Sequence, residues 1–528
     1  MKPGEYSVSY KSTKRCRRQI IYLGYRRRAA FSRQPLHLGW WPVVPFPVML
    51  QIQNYLNGQL VPPLAGRYLD NVEPATGQVY GLIPDSGPED VAAAVAAAEA
   101  ALPAWRALAA EDRGRILVKI ADLIDQNLER LAQAESRDNG KPLSLARVMD
   151  IPRAASNFHF FGTAAGHFAT EAHVQDGVAV NYTVRHPVGV VGCTSPWNLP
   201  LYLFTWKIAP ALAVGCCVVA KPSEITPATA FLLSELCIEA GLPAGVLNII
   251  HGNGPNCGQA IVEHPGIKAI SFTGGTATGR HLARTAAPMF KKLSLELGGK
   301  NPNIIFADCD LAVAVKTSIR SSFANQGQIC LCGSRLFIER PIYEQFKVEF
   351  LRQLAEQRVG DPQEASTTQG ALVSEAHLHK VLAYIDLAKE EGGRLLAGGQ
   401  RMQLPGRCAD GYFLAPTVFE NLPFDCRTNQ EEIFGPVVTL TPFDTEEEAL
   451  SMANSTDYGL SATLWTRDIQ RAHRVAHALH SGIVWINTWL HRDLRTPFGG
   501  MKNSGVGREG GLEALRFFTE AQNVCVKL

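Results

Sequence analysis

Residues 321–334 read SSFANQGQICLCGS, which sets Cys330 and Cys332 on either side of a single leucine. Asn325, Gln326, Gln328 and two glycines surround them. A thiol in such a stretch can pair in a disulfide, hold a metal, pack in a strand or attack an electrophile. The twelve cysteines are scattered over 528 residues and lack the paired spacing of a zinc site. Two so close would strain a disulfide. Scattered cysteines in a long chain point to a reducing, cytoplasmic setting. Neither a metal nor a disulfide is expected, which leaves packing or nucleophilic attack.

Other segments offer groups that a nucleophile would need. LSLELGGKNP puts Glu296 at the end of an apolar run, where burial raises a carboxyl pKa and suits it to general-base work. A core glutamate paired with a lysine is an equal alternative. TSPWNLP holds Asn198 in a turn after a strand, where its amide can donate to a developing oxyanion or simply shape the turn. Three segments suit a dinucleotide. HGNGPNCG, with Gly254 at its centre, is one residue off the usual glycine fingerprint. SFTGGTATG, with Gly274, Gly275, Thr276 and Gly279, leads from a strand into a helix, whose exposed N–H groups suit phosphate. VVAKPSE ends a strand with Lys221, Ser223 and Glu224, able to hydrogen-bond a ribose diol. Each alone reads equally as a solvated loop; three successive strand ends favour a ligand. Together these groups describe one reaction, in which a thiolate attacks an aldehyde, hydride leaves to a nicotinamide, and activated water hydrolyses the thioester.

The elements that must position them follow from periodicity. Glu89 to Ser136 is helical in pattern, with Pro103 expected to break the run. From Val188, short β-branched runs alternate with amphipathic stretches, as in a doubly wound parallel sheet. A second alternating region runs from Asn303 to about Ile486, so two doubly wound α/β domains are expected. EAHVQDGVAVNYTVRHP reads as a hairpin turning at Asp176-Gly177; two strands are marginal alone and must dock on something, such as a neighbouring subunit.

Of 51 Lys/Arg and 49 Asp/Glu, ten basic residues and one acid fall in residues 1–48. The mildly acidic remainder argues against nucleic-acid binding. The longest aromatic and apolar run, Trp40 to Leu50, carries three prolines and is too short to span a membrane. The basic leader is transit-like in composition, but it reads better as a disordered or dispensable tail, or as an upstream start before Met49.

FANQGQIC, LELGGKNP, SPWNLPLYL, AKPSE, EEIFGPV and PFGGMKNSGVGREG resemble signature segments of the NAD(P)-dependent aldehyde dehydrogenase superfamily, from about residue 50 to the C-terminus. The resemblance implies an α/β aldehyde dehydrogenase-like fold. Its parts would be an NAD-binding domain (49–164 and 188–298), a catalytic domain (299–511) and a small oligomerisation element (165–187 and 512–528). It implies Cys330 as nucleophile, Glu296 as base and Asn198 as oxyanion donor, with Cys332 as packing. Lys221 and Glu224 would hold the adenosine ribose, and Glu432 and Phe434 the nicotinamide ribose and ring. Trp197, Ser223, Gly254, Gly274, Gly275, Thr276, Gly279 and Leu297 would complete an NAD site. The family usually has Ser where Gly275 stands. ARVMDIPRAASNFHFF and NTWLHRDLRTPFGG resemble the branch that acts on 2-aminomuconic or 2-hydroxymuconic semialdehyde. There Arg153 and Arg492 would bind a substrate carboxylate, unless they pair with Asp150 or Asp493. A homodimer or homotetramer is implied. Other aldehydes, such as betaine aldehyde or an aliphatic aldehyde, are the alternative substrates, and CoA-acylating and non-catalytic relatives the alternative functions.

Overall fold

The runs VVGCT, CVVAK, LNI, IKAISFT and KLSLE form five parallel strands in the computed structural model, which describes residues 49–528. In space Lys292–Glu296 lies beside Ile267–Thr273, then Val190–Thr194, Cys217–Lys221 and Leu247–Ile249. The order reverses between Val190–Thr194 and Ile267–Thr273, so loops leaving these two strands open a crevice at their carboxyl ends. Antiparallel strands finish the sheet: Asn54–Leu56 and Gln59–Val61 at one edge, Gly505–Val506 at the other.

The helices Pro88–Ala107 and Pro200–Ala213 pack on the central strands. Every residue of Pro200–Ala213 is buried, Lys207 included. A helix apolar on nearly all sides belongs inside a protein, which makes its one ammonium conspicuous. Pro103 does not break the helical run as expected; it sits inside Pro88–Ala107, and the break comes at Leu108. Its side is exposed, so the carbonyl it leaves without an N–H partner can reach water.

The second alternating region forms a seven-stranded sheet ordered Arg394–Ala397, Thr417–Glu420, Val437–Phe443, Gly333–Glu339, Asn301–Ile305, Ser461–Trp465 and Ile483–Ile486. All but the first strand are parallel. The expected hairpin is Ala172–Gln175 with Ala179–Pro187, turning at Gly177 (φ 68°). It docks within its own chain first: Thr519–Lys527 pairs along the whole of Ala179–Pro187 to make three strands. The basic leader lies outside the described residues.

Candidate active site

The loop leading to Cys330 is built from three successive left-handed residues, Asn325 (φ 52°), Gln326 (φ 56°) and Gly327 (φ 68°). Non-glycine residues adopt this conformation at a cost, so side-chain bonds must hold it. Asn325 Nδ2 donates to the carbonyl of Asn198 (3.0 Å), and Gln326 Nε2 to that of Ala371 (2.7 Å). Gln328 Oε1 accepts from Val373 N–H (3.1 Å). At Gly327 a Cβ would fall 2.3 Å from the Gly435 carbonyl oxygen, so only glycine fits. Asn301 Nδ2 then clamps the carbonyls of Cys330 (2.7 Å) and Cys332 (2.8 Å), and Trp489 Nε1 that of Leu331 (2.9 Å). Cys332 is buried among apolar groups, while Cys330 is partly accessible. Burial, then the carboxylates of Glu432 and Glu296, push the Cys330 thiol up, against a lowering pull from Arg492.

Glu296 ends its strand buried, and neither carboxyl oxygen has a hydrogen-bond partner. Its pKa lies well above the ordinary carboxyl value because of burial and then the charge of Glu509, although Lys207, Arg508 and Arg492 pull it down. Glu296 is thus buried and unbonded, and the alternative of a lysine-paired core glutamate does not form. Lys207 pairs instead with Glu509 at 2.7 Å, and both meet the Ser271 hydroxyl (3.2 and 3.1 Å). Lys207, Glu509 and Asn301 were not singled out from the sequence, and Asn325 was noted only as a neighbour of the two cysteines. Lys207 carried a signal, as the one charge in LYLFTWKIAPALAVG; Glu509, in a glycine-rich stretch, carried none.

Asn198 Nδ2 donates to the carbonyl of Gln328 in the Cys330 loop (2.9 Å), leaving its second N–H available. Asn198 and Cys330 both line a cavity of about 250 Å³. Trp197, Gly274, Gly275, Leu297, Glu432 and Phe434 share its walls, so the expected cofactor residues meet the thiol in one space. Phe434 (φ 62°) meets the Trp197 ring edge-on at 5.2 Å, and His377 donates from Nε2 to its carbonyl (2.7 Å). Burial pulls the His377 imidazole down to about 4, so it stays neutral. Glu432 accepts the Gly299 N–H (2.8 Å), and burial raises its pKa. Glu296 itself does not line the cavity, although its neighbours Leu297 and Gly298 do.

The remaining cofactor candidates sit at successive strand ends. Lys221 Nζ lies 3.0 Å from Glu224 and also donates to the carbonyls of Pro222 and Gly252 (both 2.9 Å). Burial raises Glu224, but Lys221 and the N–H groups of Glu224 and Gly254 outweigh it and keep the carboxyl below its usual value. Ser223 Oγ accepts the Ile225 N–H (3.2 Å), which shapes the turn. Thr276 begins an eleven-residue helix capped by Gly275. A Cβ on Gly279 would fall 2.5 Å from Leu297 Cδ2, so a larger residue there would have to push the leucine aside. A Cβ on Gly275 would meet nothing within 4 Å.

Neither structural pairing considered for the arginines forms. Asp150 is bound to Lys141 (2.7 Å) and Asp493 to Arg495 (2.6 Å). Arg153 instead lies over Tyr202 (5.2 Å) and Trp206 (5.4 Å), and its Nε and Nη2 have no hydrogen-bond partner. Arg492 lies over Phe498 (4.0 Å) and the same Trp206 (5.6 Å). Burial lowers the Arg153 pKa, with nearby Arg492 adding to it. Two like charges share one aromatic platform, with no ion pair to either among the described residues.

A strained loop carrying Cys330 meets the carboxyl ends of a doubly wound sheet at one cavity, with the buried, unbonded Glu296 next to two of its lining residues, Leu297 and Gly298. The chain belongs to the aldehyde dehydrogenase family, whose model matches residues 62–524. It is 51% identical over 481 residues to a 2-aminomuconic semialdehyde dehydrogenase of Danio rerio, covering 90% of this chain and 98% of that protein. It is 47% identical over 486 residues to a 2-hydroxymuconic semialdehyde dehydrogenase of Pseudomonas sp. (strain CF600), covering 91% and 100%. The structure of an aldehyde dehydrogenase from Bacillus cereus in complex with NAD+ superposes with a TM-score of 0.88 at 40% identity, covering 90% of this chain and 97% of that one.

Proposed function

We propose that this chain oxidises a carboxylate-bearing unsaturated semialdehyde, 2-aminomuconic or 2-hydroxymuconic 6-semialdehyde, to the acid with NAD. The observation that carries the substrate class is the pair of guanidiniums at Arg153 and Arg492, left without carboxylate partners, with Arg492 near enough to Cys330 for its charge to act on the thiol. A desolvated guanidinium with free donors is costly unless a ligand supplies the anion. The names of the relatives above support the same substrates.

The cleft fits NAD: the open N-terminus beginning at Thr276, the glycine contact at Gly279 and the Lys221–Glu224 pair are aligned along one set of strand ends. NAD held there would supply a hydride acceptor, and its positive charge would oppose the burial and the carboxylates that raise the Cys330 thiol, so that the thiol can give its proton to solvent. Cys330 Sγ then attacks the aldehyde carbon, and the free N–H of the Asn198 amide takes the oxyanion. Loss of hydride leaves a thioester on Cys330. Glu296, held by no hydrogen bond, can rotate without breaking one and take a proton from the hydrolytic water. Glu224 accepts a ribose 2′-hydroxyl and repels a 2′-phosphate, favouring NAD over NADP; equal kcat/KM for the two would overturn that preference.

Assembly as a homodimer or homotetramer belongs to this reading. The three-stranded sheet exposes Val174, Tyr182 and Val526 and leaves two free edges, which favours covering by another copy. Gel filtration with light scattering would return a monomer mass if this is wrong.

The test of substrate class is Arg492→Ala. A hydrogen-bonded charged contact contributes roughly 1.5–3 kcal/mol, so kcat/KM for a muconic-type semialdehyde should fall about tenfold to a hundredfold. A neutral aldehyde of similar length should be unaffected. Equal loss on both would mean that the arginines only shape the tunnel. Arg153→Ala should behave alike, and the double variant less than additively if both grip one carboxylate.

A further inference from the structure

The main chain of Asn198 is gripped more heavily than a turn requires. Its carbonyl oxygen accepts from Asn325 Nδ2 (3.0 Å), Lys141 Nζ (3.2 Å) and, more weakly, Asn139 Nδ2 (3.4 Å). Asn139 Nδ2 also donates to the Trp197 carbonyl at 2.8 Å. A carbonyl has two lone pairs, so three donors saturate this one. Lys141 is itself fully buried between Asp150 (2.7 Å) and Glu135 (3.4 Å), both with no exposed side-chain surface. Glu135 accepts from the Thr229 hydroxyl (2.9 Å) and from the N–H of Leu201 (3.4 Å), at the start of the helix that follows Asn198. Asp150 Oδ2 has no donor among the described residues, and burial raises the pKa of both carboxyls.

As a source of stability such a cluster is poor, because buried ion pairs gain little over apolar packing of the same volume. Its bonds converge on one peptide unit. Asn325 bridges that unit to Gln328 (3.3 Å), the residue whose carbonyl takes the Asn198 side chain. The turn carrying the amide and the loop carrying the thiol are thereby tied together.

We propose that Lys141, Asn139 and Asn325 are positioning residues that fix the Asn198 amide at the point where the oxyanion forms on a carbonyl attacked by Cys330. The inference rests on the aldehyde-oxidation reading above. Lys141→Met keeps the stem and removes the ammonium. Displacing a reacting group by about 1 Å costs on the order of a hundredfold, so the pre-steady-state NADH burst should slow about tenfold to a hundredfold. NAD affinity by fluorescence should be unchanged. Alkylation of Cys330 by iodoacetamide, which forms no oxyanion, should also keep its rate. Asn325→Gly preserves the left-handed backbone, removes only the amide, and should show the same split. A burst at the wild-type rate in either folded variant overturns the proposal. So does a parallel fall of burst and alkylation, or failure of both variants to fold, because each marks a merely structural role. A wild-type enzyme with no NADH burst on any aldehyde overturns the aldehyde reading instead, and this proposal with it.

Discussion

Two buried clusters in this chain each combine one ammonium with two carboxylates, and they are wired differently. Lys141 touches both of its acids and the Asn198 carbonyl. Lys207 is bound to Glu509 and the Ser271 hydroxyl, and leaves Glu296 without a bond at either oxygen. Burial raises the carboxyl pKa of Glu135, Asp150 and Glu296 alike. The difference lies in freedom: a bonded charge holds a neighbour in place, whereas an unbonded buried carboxyl is poised to turn and exchange a proton. The first cluster grips the main chain of Asn198, and the second leaves Glu296 free to turn.

The sharpest way to break this contrast is on stability. Asp150→Asn removes the 2.7 Å partner of a fully buried ammonium, and breaking such a pair costs about 3–5 kcal/mol. Urea unfolding should record that loss; a change under about 1 kcal/mol would erase the distinction. Glu296→Gln should act in the opposite sense. Its folded pKa is raised, so the ionised form is disfavoured in the native state, and this destabilisation grows as pH rises above the unfolded value of about 4.3. The Gln variant should melt above wild type at pH 8, with the gap closing as pH falls towards 4. Turnover should drop about a hundredfold or more, while a burst of about one NADH per site remains. A lost burst would place Glu296 earlier, at the Cys330 proton.

Glu509→Gln separates the base from its cluster. Removing the negative neighbour lowers the Glu296 pKa, because Lys207, Arg508 and Arg492 remain. The rising limb of turnover against pH should move to lower pH; a shift to higher pH would mean that Glu509 acts chiefly by holding Lys207. The smallest effect is expected outside both clusters, at Gly275. Its Cβ position is open, so Gly275→Ser can add one helix-end hydrogen bond and tighten NAD binding about two- to tenfold, with kcat unchanged. Isothermal titration reads it directly.

Much of this was legible in the chain. Alternating strand and helix patterns led to both sheets, and the segments around Cys330, Glu296 and Asn198 converge on one cleft. What escaped were contacts between residues far apart in sequence. Nothing local in DNGKP announces that Lys141 will meet Asn198, 57 residues on. The hairpin's third strand comes from the far end of the chain; the family resemblance grouped 165–187 with 512–528, but periodicity alone carries no information about such pairing. Pro103 misled because a helix rule for interior positions relaxes on an exposed face.

Gly505–Val506 pairs on the outer edge of the strand that carries Glu296, and Ser504 Oγ donates to the carbonyl of Gly298, 206 residues earlier (2.6 Å). During synthesis the five parallel strands, and then Cys330, leave the ribosome well before this segment exists. Earlier parts of a chain fold first, and contacts of such long range form late. The Cys330 thiol is therefore translated before Glu509, whose charge adds to the burial that raises the Glu296 pKa, and the surroundings of Glu296 are complete only when this segment closes over the sheet.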